Sequence, residues 1–144
     1  MIEEKYRGIA TASLSDRLVD AQLDSFRVFG WIVQICFIRE GCYIWMSTSG
    51  RLGVYSSGIA PAEKQEFGQL LGNLHAMIGE NVSSVEVASN GSLSILLESG
   101  VVRTKLEGEV LDPIWSVTPG CPSVEVDGAW AVALTDDGTL ISRP

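Results

Sequence analysis

One histidine, His75, is all the chain has, and that removes every metal site built on two histidines. It also leaves a single imidazole for a Ser–His or Cys–His pair. The P-loop pattern, GxGxxG, HExxH and GxSxG are all missing. Cysteine is scarce too. Cys36, Cys42 and Cys121 are an odd number with no CxxC spacing, which argues against a disulfide framework and for a reducing compartment. No apolar run is long enough to cross a bilayer: the most apolar one, Trp31 to Ile38, is far too short. The first residues, MIEEKYRG, are charged where a secretory signal needs a basic start and an apolar stretch. These absences predict a cytoplasmic protein.

Catalytic chemistry has little to stand on. Two of the cysteines fall in apolar strands, where a buried thiol is inert, so pairing with His75 is a poor nucleophile hypothesis. Asp136 and Asp137 are adjacent, but neighbouring side chains in a tight turn diverge and cannot serve one substrate as acid and base. They read as turn formers. We therefore expect no enzyme, no cofactor and no metal.

What the chain does have is apolar residue and acid. With 46% apolar and 19% charged residues in 144 positions, it can bury a core without disulfides or metal, as a single domain over 1–144. The net charge of −8 is unevenly placed. Residues 1–106 hold 11 acidic and 9 basic side chains, whereas residues 107–144 hold 7 acidic ones and Arg143 alone. Nucleic acid and anionic membrane, which bind clustered Lys and Arg, are poor partners for such a chain; a basic protein is the complement. A solvated acidic surface with no partner is the plainer reading of the same charge.

The pattern along the chain is mainly antiparallel β. Ser13 to Val19 reads as a short helix, with Ser13 as cap and Leu14 and Leu18 on one face. Leu23 to Val28 alternates, Gly30 turns, Trp31 to Ile38 is apolar on both faces, and Glu40-Gly41 turns the chain into Cys42 to Ser47. Arg51 to Tyr55 is at most a short edge strand. Pro61 to Ile78 is the clearest helix: Pro61 suits the first helical position, Phe67, Leu70, Leu71, Leu74, Met77 and Ile78 mark one face, and Gly79 ends it. Gly68 and Gly72, one turn apart, predict a close approach of helix backbone to sheet. Val82, Val85 and Val87 open a strand, Asn90-Gly91 fits a type I′ hairpin, Leu93, Ile95 and Leu97 follow, and Ser99-Gly100 leads to Val101 to Leu106. A last hairpin, Trp130 to Leu134 and Thr139 to Ser142, turns on Asp136-Asp137-Gly138.

An offset of 59 sets Leu23, Phe26 and Val28 on Val82, Val85 and Val87, and Gly41 on Gly100. An offset of 50 also aligns glycines, Gly41 with Gly91. The fold expected is α+β: two related helix-plus-three-strand units, residues 18–47 and 77–106, then a C-terminal hairpin, with about seven to nine strands from the spacing of turns.

The stretch Leu70 to Leu106, LLGNLHAMIGENVSSVEVASNGSLSILLESGVVRTKL, with its V-x-x-V-x-V strand and x-G hairpin, resembles small β-rich bacterial immunity proteins of contact-dependent inhibition and polymorphic toxin systems. Trp115 after the meander and the glycine-turn hairpin Thr135 to Arg143 extend the likeness over roughly two thirds of the chain. Asp20 departs from it, standing where the second unit has Gly79. The resemblance implies a protein that binds a cognate secreted toxin, covers its active site and catalyses nothing itself. The charge map adds a basic, nuclease-like toxin as partner. Glu107, Glu109, Asp112, Glu125, Asp127, Asp136 and Asp137 form the expected acidic face, with Trp115 or Trp130 as aromatic anchor. Trp31 and Trp45, in the most apolar strands, are expected in the core. In solution a monomer or weak dimer is expected. The competing reading is a small acidic secretion chaperone or adaptor.

Overall fold

The computed structural model describes residues 1–49, 51–56, 65–106, 113–120 and 130–144. In chain order these form α1 (Glu4–Leu18), β1 (Gln22–Phe29), β2 (Ile32–Arg39), β3 (Cys42–Thr48), β4 (Arg51–Ser56), α2 (Phe67–Ala76), β5 (Val82–Val87), β6 (Leu93–Leu97), β7 (Gly100–Lys105), β8 (Trp115–Pro119), β9 (Ala131–Leu134) and β10 (Leu140–Arg143). The fold is α+β and mostly β, as expected, with ten strands among the described residues where the turn spacing indicated seven to nine. They pair antiparallel in two sheets. Sheet A runs β1-β2-β3-β8-β9-β10 and sheet B runs β4-β7-β6-β5. After β3 the chain leaves sheet A to lay β4 beside β7; after β7 it returns to lay β8 beside β3.

The inner faces of both sheets share one core. Leu23, Ile35, Phe37, Met46, Val117 and Leu134 from sheet A meet Val54, Val85, Leu93, Ile95 and Val102 from sheet B, with Leu14, Leu18 and Leu74 from the helices. Each such side chain, fully withdrawn from water, stabilises the fold by roughly 2 kcal/mol.

A break in alternation shapes both first strands. Leu23, Phe26 and Val28 cannot all face one side of a regular strand, because Leu23 and Phe26 are an odd number of residues apart. The register of β1 against β2 shifts between Leu23 and Ser25, and that bulge turns all three inward. β5 repeats the device: its register against β6 shifts between Val82 and Ser84, and Val82, Val85 and Val87 are all buried. The V-x-x-V-x-V spacing is thus the mark of a bulged strand.

The same two strands are tied at their starts. Asp20 N donates to Val82 O (2.9 Å) and Gly79 N to Leu23 O (2.8 Å); Leu23 N donates to Glu80 O (2.9 Å) and Val82 N to Ala21 O (2.8 Å). Exchanging residues 20, 21 and 23 for 79, 80 and 82, an offset of 59, turns one bond of each pair into the other. Asp20 (φ 70°) and Gly79 (φ 95°) both take the left-handed conformation that ends a helix and starts this bridge.

The helices differ from expectation. α1 begins at Glu4 rather than Ser13, since Ala10, Leu14 and Leu18 give it a buried stripe only one residue wide per turn, too narrow to stand out in sequence. α2 begins at Phe67, because Glu66 is extended (φ −62°, ψ 141°), its N–H donating to Gln69 Oε1 at 3.2 Å; Pro61 and Glu63 lie outside the described residues. Phe67 at the start of α2 and Ile78 just beyond its end are exposed, while Leu70, Leu74 and Met77 are buried. Gly68 and Gly72 are exposed, and nothing lies within 4 Å of where their Cβ atoms would stand, so they permit no close approach to the sheet. Asn90-Gly91 is not a two-residue type I′ turn: only Gly91 has positive φ, Ala88 N donates to Ser92 O, and the Asn90 side chain accepts from Ser92 N. The type I′ signature falls instead on Glu40-Gly41 (φ 52° and 77°).

Both edges of sheet B are closed by side chains. On β4, Gln65 caps both polar groups of the Val54 backbone (2.9 and 2.6 Å) and Asn73 adds a third bond to Val54 O. On β5, Thr11 of α1 accepts from Val87 N (3.2 Å), beside the 20–23 bridge. Such closure denies the edge to another strand. One outcome tests the bridge geometry. Asp20→Gly removes a side chain from a left-handed position where it makes no bond among the described residues, and should raise stability by about 1 kcal/mol, read as an increased urea midpoint at unchanged m. Gly79→Ala should lower it by a similar amount.

Candidate interaction surface

Cross-strand register places one residue from every strand of sheet A in a single outward row: Arg27, Gln34, Ser47, Ser116, Ala133 and Ile141. Arg27 Nε donates to Gln34 Oε1 (2.6 Å) and Gln34 Nε2 to Ser47 Oγ (3.1 Å), so the polar part of the row is held by its own bonds. Beside it stand aromatic rings. The Arg27 guanidinium lies 4.7 Å from the Trp45 ring centre and 5.3 Å from that of Phe29. Phe29 and Trp31 are each 53% exposed, and Tyr43 49%. A guanidinium between two rings is held still without being desolvated, and Arg, Trp and Tyr are the side chains that dominate protein interfaces.

Trp31 and Trp45 are therefore not core residues. Trp31 sits in the two-residue turn between β1 and β2, and Trp45 falls on the outward parity of β3, half-buried beneath Arg27. Trp115 is the reverse case. It is completely buried and its Nε1 donates to Gly91 O at 2.8 Å, so it bridges the two sheets from within and cannot anchor a partner. The cause is parity: Trp115 and Val117 both face inward on β8. Trp130 is half-buried with Arg17 stacked 4.2 Å from its ring centre, and it precedes β9, at the far end of that strand from Asp136 and Asp137.

Asp136 and Asp137 are exposed on the turn between β9 and β10. Register places that turn at the same end of sheet A as Trp31, since Val33, Thr48, Trp115, Leu134 and Leu140 are successive cross-strand neighbours. At ordinary strand spacing the two turns are about 19 Å apart, within one interface. Glu107, Glu109, Asp112, Glu125 and Asp127 lie outside the described residues, as does Cys121. The exposed aromatics escaped sequence reasoning because an apolar run was read as covered on both faces; the Gly30 turn signal could have put Trp31 at a tip.

Asp137 is held below the ordinary carboxylate pKa of 3.8, first by the Thr135 hydroxyl, which donates to it, and then by Thr139, whose N–H lies 3.1 Å from Oδ1. The charged form thus adds to the two backbone bonds that close the turn, Thr135 N to Thr139 O and Gly138 N to Thr135 O. Cys36 and Cys42 stand on sheet A, whereas His75 is on the last turn of α2, which packs on β4 of sheet B. No group of three metal-ligating side chains occurs among the described residues, and no described helix is long and apolar enough to cross a membrane.

No protein family matches the chain, no curated protein is similar to it, and no solved structure matches its fold.

Two outcomes follow. Trp115→Phe should cost about 2–4 kcal/mol through the lost indole volume and the unpaired Gly91 carbonyl, measured by chemical denaturation. Asp137 should titrate below 3.8 by NMR. Its folded pKa is the depressed one, so its contribution to the hairpin is whole above the ordinary value and disappears as pH falls through the lower folded value. Asp137→Asn should abolish that dependence.

Proposed function

We propose that this protein is a non-catalytic binding protein of the immunity type, which docks on a basic secreted toxin and covers its active site. The observation that carries the reading is the pairing, at one end of sheet A, of exposed aromatics (Phe29, Trp31) with the exposed carboxylates of Asp136 and Asp137. An aromatic anchor supplies contact area at small entropic cost, and carboxylates at the rim steer a cationic partner. The net charge of −8, concentrated in residues 107–144, supports the same partner chemistry. The anchor proposed is thus Trp31 with Phe29, in place of Trp115. A chaperone or adaptor that dimerises through a helix is the second reading, favoured by Tyr6 and Ile9, exposed three residues apart on α1.

Capture of partners from the native host through a tag, at low and at high salt, separates the two. The toxin reading requires one basic protein, retained better at low salt, whose toxic activity this chain suppresses. With that partner in hand, Trp31→Ala should weaken binding about tenfold or more, mainly through faster dissociation. Asp136→Lys with Asp137→Lys should slow association and flatten its salt dependence. If both rates are unchanged in both variants, the proposed surface is wrong; if the captured partner stays active, the adaptor reading takes its place.

A further inference from the structure

The outer face of sheet B carries an arrangement that the fold does not require. The β4–β7 register sets Arg51 opposite Lys105 and Gly53 opposite Arg103, while Leu52, Val54, Val102 and Thr104 point into the core. Three of the chain's ten basic side chains therefore occupy neighbouring outward positions on two strands. Like charges directly opposite one another destabilise an antiparallel pair. None of the three makes an ion pair among the described residues, and the carboxylate on that face, Glu86 of β5, is two strands from Arg103 across Ser94. A cluster of this kind, uncompensated among the described residues, needs an explanation in so acidic a chain.

Tyr55 supplies the second observation. Its side chain folds back over Gly53, where a Cβ would stand 2.5 Å from the hydroxyl oxygen, so residue 53 must lack a side chain for the ring to lie there. Tyr55 is 7% exposed, and its hydroxyl is buried with no hydrogen-bond partner among the described residues. A buried donor without an acceptor is costly. Around it, Lys105 Nζ lies 5.5 Å from the ring centre, and Arg103 is oriented by its Nε, which donates to Ser94 Oγ at 3.0 Å.

We propose that this face binds an oxyanion of the phosphate class. Arg51 and Lys105 supply opposed charges, Arg103 presents the free edge of a planar guanidinium, and the Tyr55 hydroxyl gains the acceptor it lacks. Three cations and a hydroxyl donor suit a dianion with several acceptor oxygens better than a single carboxylate. The chain's negative charge opposes this only at long range. Within the Debye length of about 8–10 Å the three local cations prevail. The site is independent of the surface on sheet A and of the toxin reading.

The test titrates the full-length chain with inorganic phosphate and with phenyl phosphate, each against potassium chloride of equal ionic strength, following backbone and arginine side-chain NMR shifts. Saturable shifts confined to β4 and β7 are expected, and Arg103→Gln or Lys105→Gln should each weaken binding about tenfold, the scale of one charge-assisted contact. Tyr55→Phe removes no bond from the free protein and relieves it of an unpaired buried hydroxyl, so its stability should hold or rise while phosphate affinity falls severalfold. Tighter binding of phenyl phosphate would mean a phosphate borne on a larger molecule; equal binding would mean the free anion. Shifts no larger than those from chloride, or affinity unchanged in Arg103→Gln, would overturn the proposal.

Discussion

Four backbone hydrogen bonds between residues 20–23 and 79–82 are the constraint on which the architecture depends. They join β1 of sheet A to β5 of sheet B, immediately after the helix that precedes each. Neither sheet can slide on the other without breaking them. Their geometry needs a sharp reversal at each helix end, which Gly79 makes without strain and Asp20 makes as one of the few side-chain types that tolerate a left-handed backbone. The bulges that follow, at Leu23/Ser25 and Val82/Ser84, re-aim the strands so that the residues nearest the bridge also face the core. Bridge and bulge act together: the first positions two strands, and the second decides which side of each is apolar.

From this follows the division of labour among the sheets. Each three-strand meander lends its last strand as a template for a strand from the other half of the chain, β4 on β7 and β8 on β3. The exchange lengthens both sheets and gives them a common interior, spanned by the Trp115 hydrogen bond to Gly91. Sheet B has its edges closed by Gln65, Asn73 and Thr11, so its remaining accessible surface is its outer face. Sheet A presents its outer face, too, but with exposed rings gathered around the single guanidinium of Arg27.

Much of this was legible in the residues, and the parts that were not share a cause. Strands β1 to β7 could be placed because glycine turns and alternating apolar residues punctuate them, and the closing hairpin because Asp136-Asp137-Gly138 has turn chemistry. The α+β, mainly antiparallel class followed. Which face of a strand meets the core was less readable. Trp31 and Trp45 sit among aliphatic neighbours, and apolar character alone does not separate a tryptophan under the sheet from one on top of it; register does. Trp115 failed in the opposite sense, because proline and acid around it in sequence gave it the look of a surface residue while β8 pairing turned it inward. The start of α1 was hidden for a related reason. A helix that buries one residue per turn has almost no apolar periodicity, and its burial comes from packing along β5 and β10.

The two outer faces also explain why charge counts alone are an incomplete guide to partners. A net charge of −8 describes the field far from the molecule, where it repels anions and draws cations. Close to the surface, beyond which salt screens within a few ångströms to a nanometre, a partner meets only the side chains that the register has brought together. Residues 51 and 105 are 54 positions apart in sequence and directly opposite in space, so their clustering is a product of strand pairing. The carboxylates of the β9–β10 turn and the rings of the β1–β2 turn are likewise distant in sequence and share one end of a sheet. The chain can hold a basic face and an acidic rim at once because its two sheets turn their outer surfaces in different directions around a shared core.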